Sequence, residues 1–238
     1  MTSELLPDDY FIQPFDHNHA IYMGSFLIIL ILLLKNHRRI AANPKPVLRF
    51  TLVLSVAQQV LLYGSYIAEG FNWAEGLPLH ISRVSSILGI IWLITRKSKV
   101  MDVLFFFGLY AYGSFLYPAR IHPPTHPIGW SFLINHVITI LLPILAVYTD
   151  RWQPTKHALG RSMLYFLLYL AAALVANEIT GGNYFYMTKR VALNQLPLWH
   201  YTIINILVTY LIFFIGYYVG GRLIRWYLKR YPATSTTS

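Results

Sequence analysis

The sequence predicts an all-α, polytopic membrane helix bundle with about seven transmembrane helices, the N-terminus outside and the C-terminus cytoplasmic. Two observations carry that expectation. Of the 238 residues, 56% are hydrophobic and only 12% charged, with a mean hydropathy of +0.48, whereas a soluble domain usually carries about 25% charged residues. The basic residues, moreover, gather at alternate ends of apolar runs. A net charge of +10 therefore reads as topology rather than nucleic-acid binding.

A helix needs about 20 residues to cross the hydrocarbon, with a range of roughly 17–25. Seven runs fit: 19–34, 47–68, 80–95, 101–117, 130–148, 158–177 and 199–220. The third and fourth are short, and a six-span arrangement with one re-entrant segment is the rival. The division that follows is an extracytoplasmic segment over 1–18, a transmembrane domain over 19–220 and a basic cytoplasmic tail over 221–238. The first seventeen residues carry four acids and no base, the reverse of a signal-peptide n-region, so this segment is expected to be retained and displayed outside.

The loops set the orientation. Lys35, Arg38, Arg39, Lys45 and Arg49 follow the first run; Arg96, Lys97 and Lys99 follow the third. Arg151, Lys156 and Arg161 follow the fifth, and Arg222, Arg225, Lys229 and Arg230 the seventh. These are fifteen of the 19 basic residues, and short basic loops stay cytoplasmic. Trp73, Trp130, Trp152, Trp199 and Trp226 fall near the expected interfaces, where amphipathic rings settle. No internal repeat of the transporter kind is evident.

Ionisable groups at membrane depth are functional candidates by default. Arg83 lies three residues into the third run, roughly 5 Å along a helix. It either snorkels to the outer interface or binds a phospholipid phosphate at a helix N-terminus. His80 opens the same helix, about 60° from Arg83 around the axis, so the two are able to flank one anion. Ser82, Ser85, Ser86 and Gly89 form a small-residue stripe suited to close helix contact. His80 and Ser82 stand about 160° apart, so a base for Ser82 has to come from another helix. His136, roughly 9 Å into the fifth run, is the candidate. Ser131, Asn135 and Thr139 make a polar stripe beside it, as Tyr201, Asn205 and Thr209 do in the seventh run, and Asn177 ends the sixth. Gln58 and Gln59 sit mid-span; the other groups fall in the outer half, and a polar pocket open to the outer leaflet is the expectation.

Other chemistry is excluded or unsupported. There is no cysteine, hence no disulfide, thiolate metal site or Cys nucleophile. His17, His19, His122 and His126 read as solvated loop histidines rather than zinc ligands. No nucleotide-binding, zinc-protease or nucleophile-elbow motif appears, so neither cofactor nor metal is expected.

Leu77-Pro78-Leu79-His80-Ile81-Ser82 resembles the LPLHxC segment of the YwaF-like bacterial membrane proteins, related to the transmembrane-164 proteins of animals. Residues 110–118, Asn135-His136 with Gln153-Pro154-Thr155, Asn177 with Gly182-Asn183-Tyr184, and Trp199 to Tyr201 resemble further family stretches in the same order. The resemblance implies a multi-pass protein of the cell membrane and, from the animal branch, phospholipid acyl transfer. It points to His80, His136, Asn177, Asn183 and Tyr184 as site residues. Two departures stand out: the family cysteine is Ser82 here, and a family proline is His200. The combined expectation is a membrane acyltransferase or lipid-ester hydrolase acting on phospholipid. In it His136 is the base, Ser82 or a lipid hydroxyl the nucleophile, Arg83 with His80 the phosphate grip, Asn135 and Asn205 pocket walls, and Asn177 or Asn183 an oxyanion donor. The alternative is a non-catalytic lipid or small-anion binding protein or transporter.

Overall fold

The structure is a computed structural model that describes Pro7, residues 10–190 and residues 192–232. Among the described residues it is helical, without strands. The elements are α1 (His17–Lys35), α2 (His37–Ala42), α3 (Lys45–Ala68), α4 (Trp73–Gly76), α5 (Ile81–Thr95), α6 (Ser98–Leu116), α7 (Pro127–Asp150) and α8 (Ala158–Thr180). After a 3-10 turn (Tyr184–Tyr186) come α9 (Leu198–Ile215), a π turn (Gly216–Gly220) and α10 (Gly221–Arg230).

Six helices are long and apolar enough to cross a membrane: α1, α3, α6, α7, α8 and the continuous helix Leu198–Arg230. The third expected run does form a helix, but α5 has 15 residues, roughly 22 Å of rise against about 30 Å of hydrocarbon. On its N-terminal side lies a non-helical turn through Pro78 and Leu79, preceded by the single turn of α4. The last helix runs ten residues past the expected limit at 220, because chain polarity alone does not end a helix and no proline interrupts it before Pro232.

Local chemistry explains the helix ends. Asp16 caps α1 by accepting the His19 amide at 2.6 Å. Pro127 at the first turn starts α7, with His126 Nδ1 accepting the Ile128 amide. Gly181, at φ +69°, closes α8 in the left-handed region. The turn before α7 is so tight that a Cβ on Gly129 would lie 2.2 Å from the Pro123 carbonyl oxygen, so only glycine fits.

Helices α6 and α7 form the centre. One cluster joins Trp92 of α5, Met101 and Leu104 of α6, and Leu142 and Ala146 of α7. A second joins Phe106 and Phe107 of α6 to Phe166 of α8 and Phe213 of α9. Helices α1, α3, α8 and α9 turn apolar faces outward, as Leu32, Val60, Leu168 and Leu207 show. That is the pattern of a bundle whose solvent is lipid.

The basic end is fastened by Asp102 of α6, which is fully buried. Its carboxylate accepts from Arg161 Nη1 at 2.7 Å, Thr155 Oγ1 at 2.7 Å and Trp152 Nε1 at 3.2 Å. Trp152 is therefore an internal donor, not the interfacial ring its position suggests. We expect Asp102→Ala to leave Arg161 and Trp152 without their acceptor and to destabilise the bundle by about 3–5 kcal/mol. A clear fall in melting temperature in detergent checks this, and an unchanged transition counts against it.

Candidate functional site

Between the opposite ends of α3, α5, α6, α7 and α9 lies a cavity of about 800 Å³. His80, Ser82, Arg83, Asn135, His136, Asn183 and Asn205 all line it. Seven of the residues singled out from sequence thus share one space. Gln58 reaches it as well, so the mid-span glutamine belongs with the other polar groups.

Arg83 is only 8% exposed and turns inward rather than snorkelling to an interface. Its Nη1 donates to the Leu77 carbonyl at 2.9 Å and to the Glu75 carbonyl, and Nη2 donates to the Tyr66 hydroxyl. The guanidinium also lies 4.9 Å from the Tyr66 ring centroid. With five N–H groups in all, Nε and one Nη2 hydrogen keep no partner among the described residues. No carboxylate there lies within salt-bridge distance, although Glu75 also lines the cavity. A buried cation is ordinarily paired with an anion, whereas the hydrogen-bond acceptors of this one among the described residues are neutral.

His136 is 3% exposed, with Nδ1 2.9 Å from the Phe132 carbonyl and its ring stacked on Phe132 at 3.8 Å. A carbonyl only accepts, so Nδ1 carries the proton and Nε2 keeps its lone pair. No described protein group bonds Nε2. On the adjacent position, Asn135 Nδ2 donates to the Ser82 carbonyl at 3.2 Å, tying α7 to the first turn of α5. The Ser82 hydroxyl makes no hydrogen bond among the described residues. A polar lattice lies alongside: Gln58 Nε2 donates to Ser131 Oγ at 2.7 Å, and Gln59 Nε2 to Ser86 Oγ at 2.7 Å.

The other family-matched residues hold the backbone. Asn177 does not line the cavity: its Nδ2 donates to the Tyr184 carbonyl at 2.9 Å and its Oδ1 accepts the Tyr184 amide at 2.6 Å. The Tyr184 hydroxyl, also outside the lining, donates to the Trp73 carbonyl at 2.6 Å and accepts the Leu77 amide. Asn183 Nδ2 donates to the Lys189 carbonyl, and its Oδ1 accepts the amides of Thr188 and Lys189. The amide donors expected at an oxyanion are thus engaged in fixing the 181–190 loop against α4. Gly182 sits in that contact, where a Cβ would come 2.7 Å from the Ala74 carbonyl oxygen.

The loop histidines are not simply solvated. His19 is buried: Nε2 lies 2.7 Å from the Phe115 carbonyl and Nδ1 accepts the Phe15 amide. His122 stacks on His126 at 4.4 Å, both lining the cavity, and His126 Nε2 is 3.3 Å from Glu69 Oε1. Among the described residues no cluster of three potential ligands could hold a metal. Tyr10 and Phe11 set their rings edge-on to His122, and the Ile12 amide donates to the Ile121 carbonyl, forming a strap beside the cavity.

Sequence reasoning missed Tyr66 as the partner of Arg83, Tyr110 as a cavity wall and Asp102 as a fastener. For Asp102 a signal existed, an acid two places inside an apolar run.

Long apolar helices around a buried polar cavity define a multi-pass membrane protein. The TMEM164 family model matches residues 14–218, and the chain belongs to the TMEM164 family. It is similar to an uncharacterized protein of Treponema pallidum (strain Nichols), 26% identical over 137 residues, or 58% of this chain and 57% of that one. The chain thus spans less than two thirds of that relative's length. No solved structure matches.

Burial, then His126 and Arg120, hold the imidazolium form of His122 down to about pH 4. The neutral ring is therefore part of the folded strap, whereas an unfolded histidine protonates near pH 6.5. The stability it supports is complete above about 6.5 and is lost as pH falls from there towards 4. We expect hydrogen exchange at the Ile12 amide, corrected for intrinsic rate, to quicken across that interval. His122→Phe is expected to flatten the response, and a flat wild-type profile contradicts it.

Proposed function

We propose that the protein is a lipid-handling enzyme of the outer leaflet that transfers or cleaves an acyl ester of a phospholipid. One observation carries the reading: a buried arginine with no carboxylate in salt-bridge distance and a histidine with an unoccupied ring nitrogen, among the described residues, line the same cavity. Arg83 draws the phosphate, using Nε–H and the remaining Nη2 hydrogen, with His80 beside it. The distribution of basic residues supports an extracytoplasmic position for the cavity.

The chemistry runs as acyl transfer through Ser82. His136 Nε2 takes the hydroxyl proton as Ser82 Oγ forms a bond to the ester carbonyl carbon. The ester C–O bond then breaks, and the imidazolium returns its proton to the departing lipid alkoxide. The acyl-serine passes its acyl group to a lipid hydroxyl in the transferase, or to water in the hydrolase, with His136 again taking and returning the proton. The Phe132 carbonyl fixes the tautomer that this role requires.

His136→Ala is expected to lower turnover by about 10²–10⁴-fold while leaving the fold intact. Lipid mass spectrometry of membranes holding equal amounts of wild type and variant reads this directly, and identical lipid profiles sink the proposal. Arg83→Gln is expected to weaken phospholipid binding. Binding lost in Arg83→Gln with no acyl product from wild type under any donor favours a non-catalytic lipid-binding protein.

A further inference from the structure

We propose that α10, together with the Arg38–Arg39 turn of α2, is a docking surface for anionic phospholipid headgroups in the leaflet opposite the cavity. The helix Leu198–Arg230 is continuous over 33 residues, roughly 50 Å of rise against about 30 Å of hydrocarbon. Its beginning lines the cavity through Tyr201 and Asn205, so its last turns emerge at the other face of the membrane.

Those last turns are two-sided. Ile224, Tyr227 and Leu228 pack on the core with Trp92, Leu145 and Trp152. Arg151 holds the end of the helix, donating to the Leu228 carbonyl at 3.0 Å and the Tyr231 carbonyl at 2.9 Å. The outward arc carries Arg222, Arg225, Lys229 and Arg230, all exposed, and α10 contains no acid. Leu223 and Trp226 stand among these cations, each 63% exposed. In water an apolar pair so exposed gains nothing. At a headgroup boundary Leu223 and Trp226 enter the acyl edge while the cations meet phosphate.

Helix α2 widens the surface. The His37 ring lies 4.9 Å from that of Tyr231, and the Arg38 guanidinium 5.7 Å above Tyr231. Arg38 and Arg39 are both exposed, and Arg38 lies over Tyr231 at the end of α10. Two acids near this end, Asp150 and Asp102, are paired with Arg96 and Arg161, so they leave the charge of α10 uncompensated. Complementarity to anionic lipid follows from charge and depth together, independently of any reaction in the cavity.

The test compares phosphatidylglycerol with phosphatidylcholine by native mass spectrometry of the full chain in detergent. Each basic side chain near an anionic surface contributes about fivefold in affinity. The triple variant Arg222→Gln, Arg225→Gln, Lys229→Gln is therefore expected to lose about a hundredfold for phosphatidylglycerol, with phosphatidylcholine unchanged. The corresponding triple lysine–arginine exchange, Arg222→Lys, Arg225→Lys, Lys229→Arg, is expected to keep it. On otherwise unmodified protein, brominated phosphatidylglycerol should quench the fluorescence that distinguishes wild type from Trp226→Phe more than brominated phosphatidylcholine does. Equal affinity of wild type for the two lipids, full retention by the glutamine variant, or equal quenching overturns the proposal. Tighter binding of soluble polyphosphate than of phosphatidylglycerol overturns it in favour of a soluble polyanion.

Discussion

A charge removed from water has to be matched by a partner close by, and in hydrocarbon no solvent supplies one. The bundle meets that constraint in two opposite ways. Asp102 is matched by a full cation and by two neutral donors, so its site is closed. Among the described residues, Arg83 is met by carbonyl and hydroxyl oxygens and the Tyr66 ring, and it keeps two donors over an 800 Å³ space. The first arrangement fastens α6 to the segment leading into α8. The second leaves donors facing open space, and that sets the site apart from the scaffold.

The cavity walls depend on backbone that is not helical. Residues 77–80 form a non-helical turn into α5, leaving carbonyls that a helix would bond internally. Arg83 takes up two carbonyls of this stretch and its approach, those of Glu75 and Leu77. The Tyr184 hydroxyl takes up the Leu77 amide and the Trp73 carbonyl, and Asn177 in turn pins the Tyr184 backbone. The chain Asn177–Tyr184–Leu77–Arg83 is therefore a single brace from α8 to α5. Irregular backbone at the edge of a membrane is tolerated because its polar groups are met inside the protein.

This brace explains which parts of the site were legible in the sequence. Arg83 and His136 announced themselves as ionisable groups inside apolar runs, and both reach the cavity. Asn177 and Tyr184 look equally conspicuous, yet a polar residue at membrane depth has two uses, facing a ligand or satisfying stray backbone, and composition does not distinguish them. Gln58 was set aside because its depth along α3 differs from the rest, but depth along one helix says nothing of how far its side chain reaches towards Ser131. The apolar runs predicted the helices well, since hydropathy is what lipid selects. They failed where hydropathy is not the cause: α5 falls within one residue of its run, but the last helix continues past 220 into polar sequence.

That last helix also shows how one element serves both ends. From Asn205 to Arg222 a regular α-helix would carry its inward and outward faces forward at 100° per residue. The π turn over Gly216–Gly220 interrupts this count and re-aims every residue after it. It lies where α9 meets α6 most closely: a Cβ on Gly216 would sit 2.6 Å from Leu109 Cδ1, and one on Gly220 2.7 Å from the Phe105 ring. Bare backbone lets α6 press into the turn and hold its rotation. With that rotation held, Asn205 faces the cavity while Ile224 and Tyr227 face the core, and Arg222 and Arg225 are left outside. The glycines thus set which residues of this helix face the cavity and which lie outside.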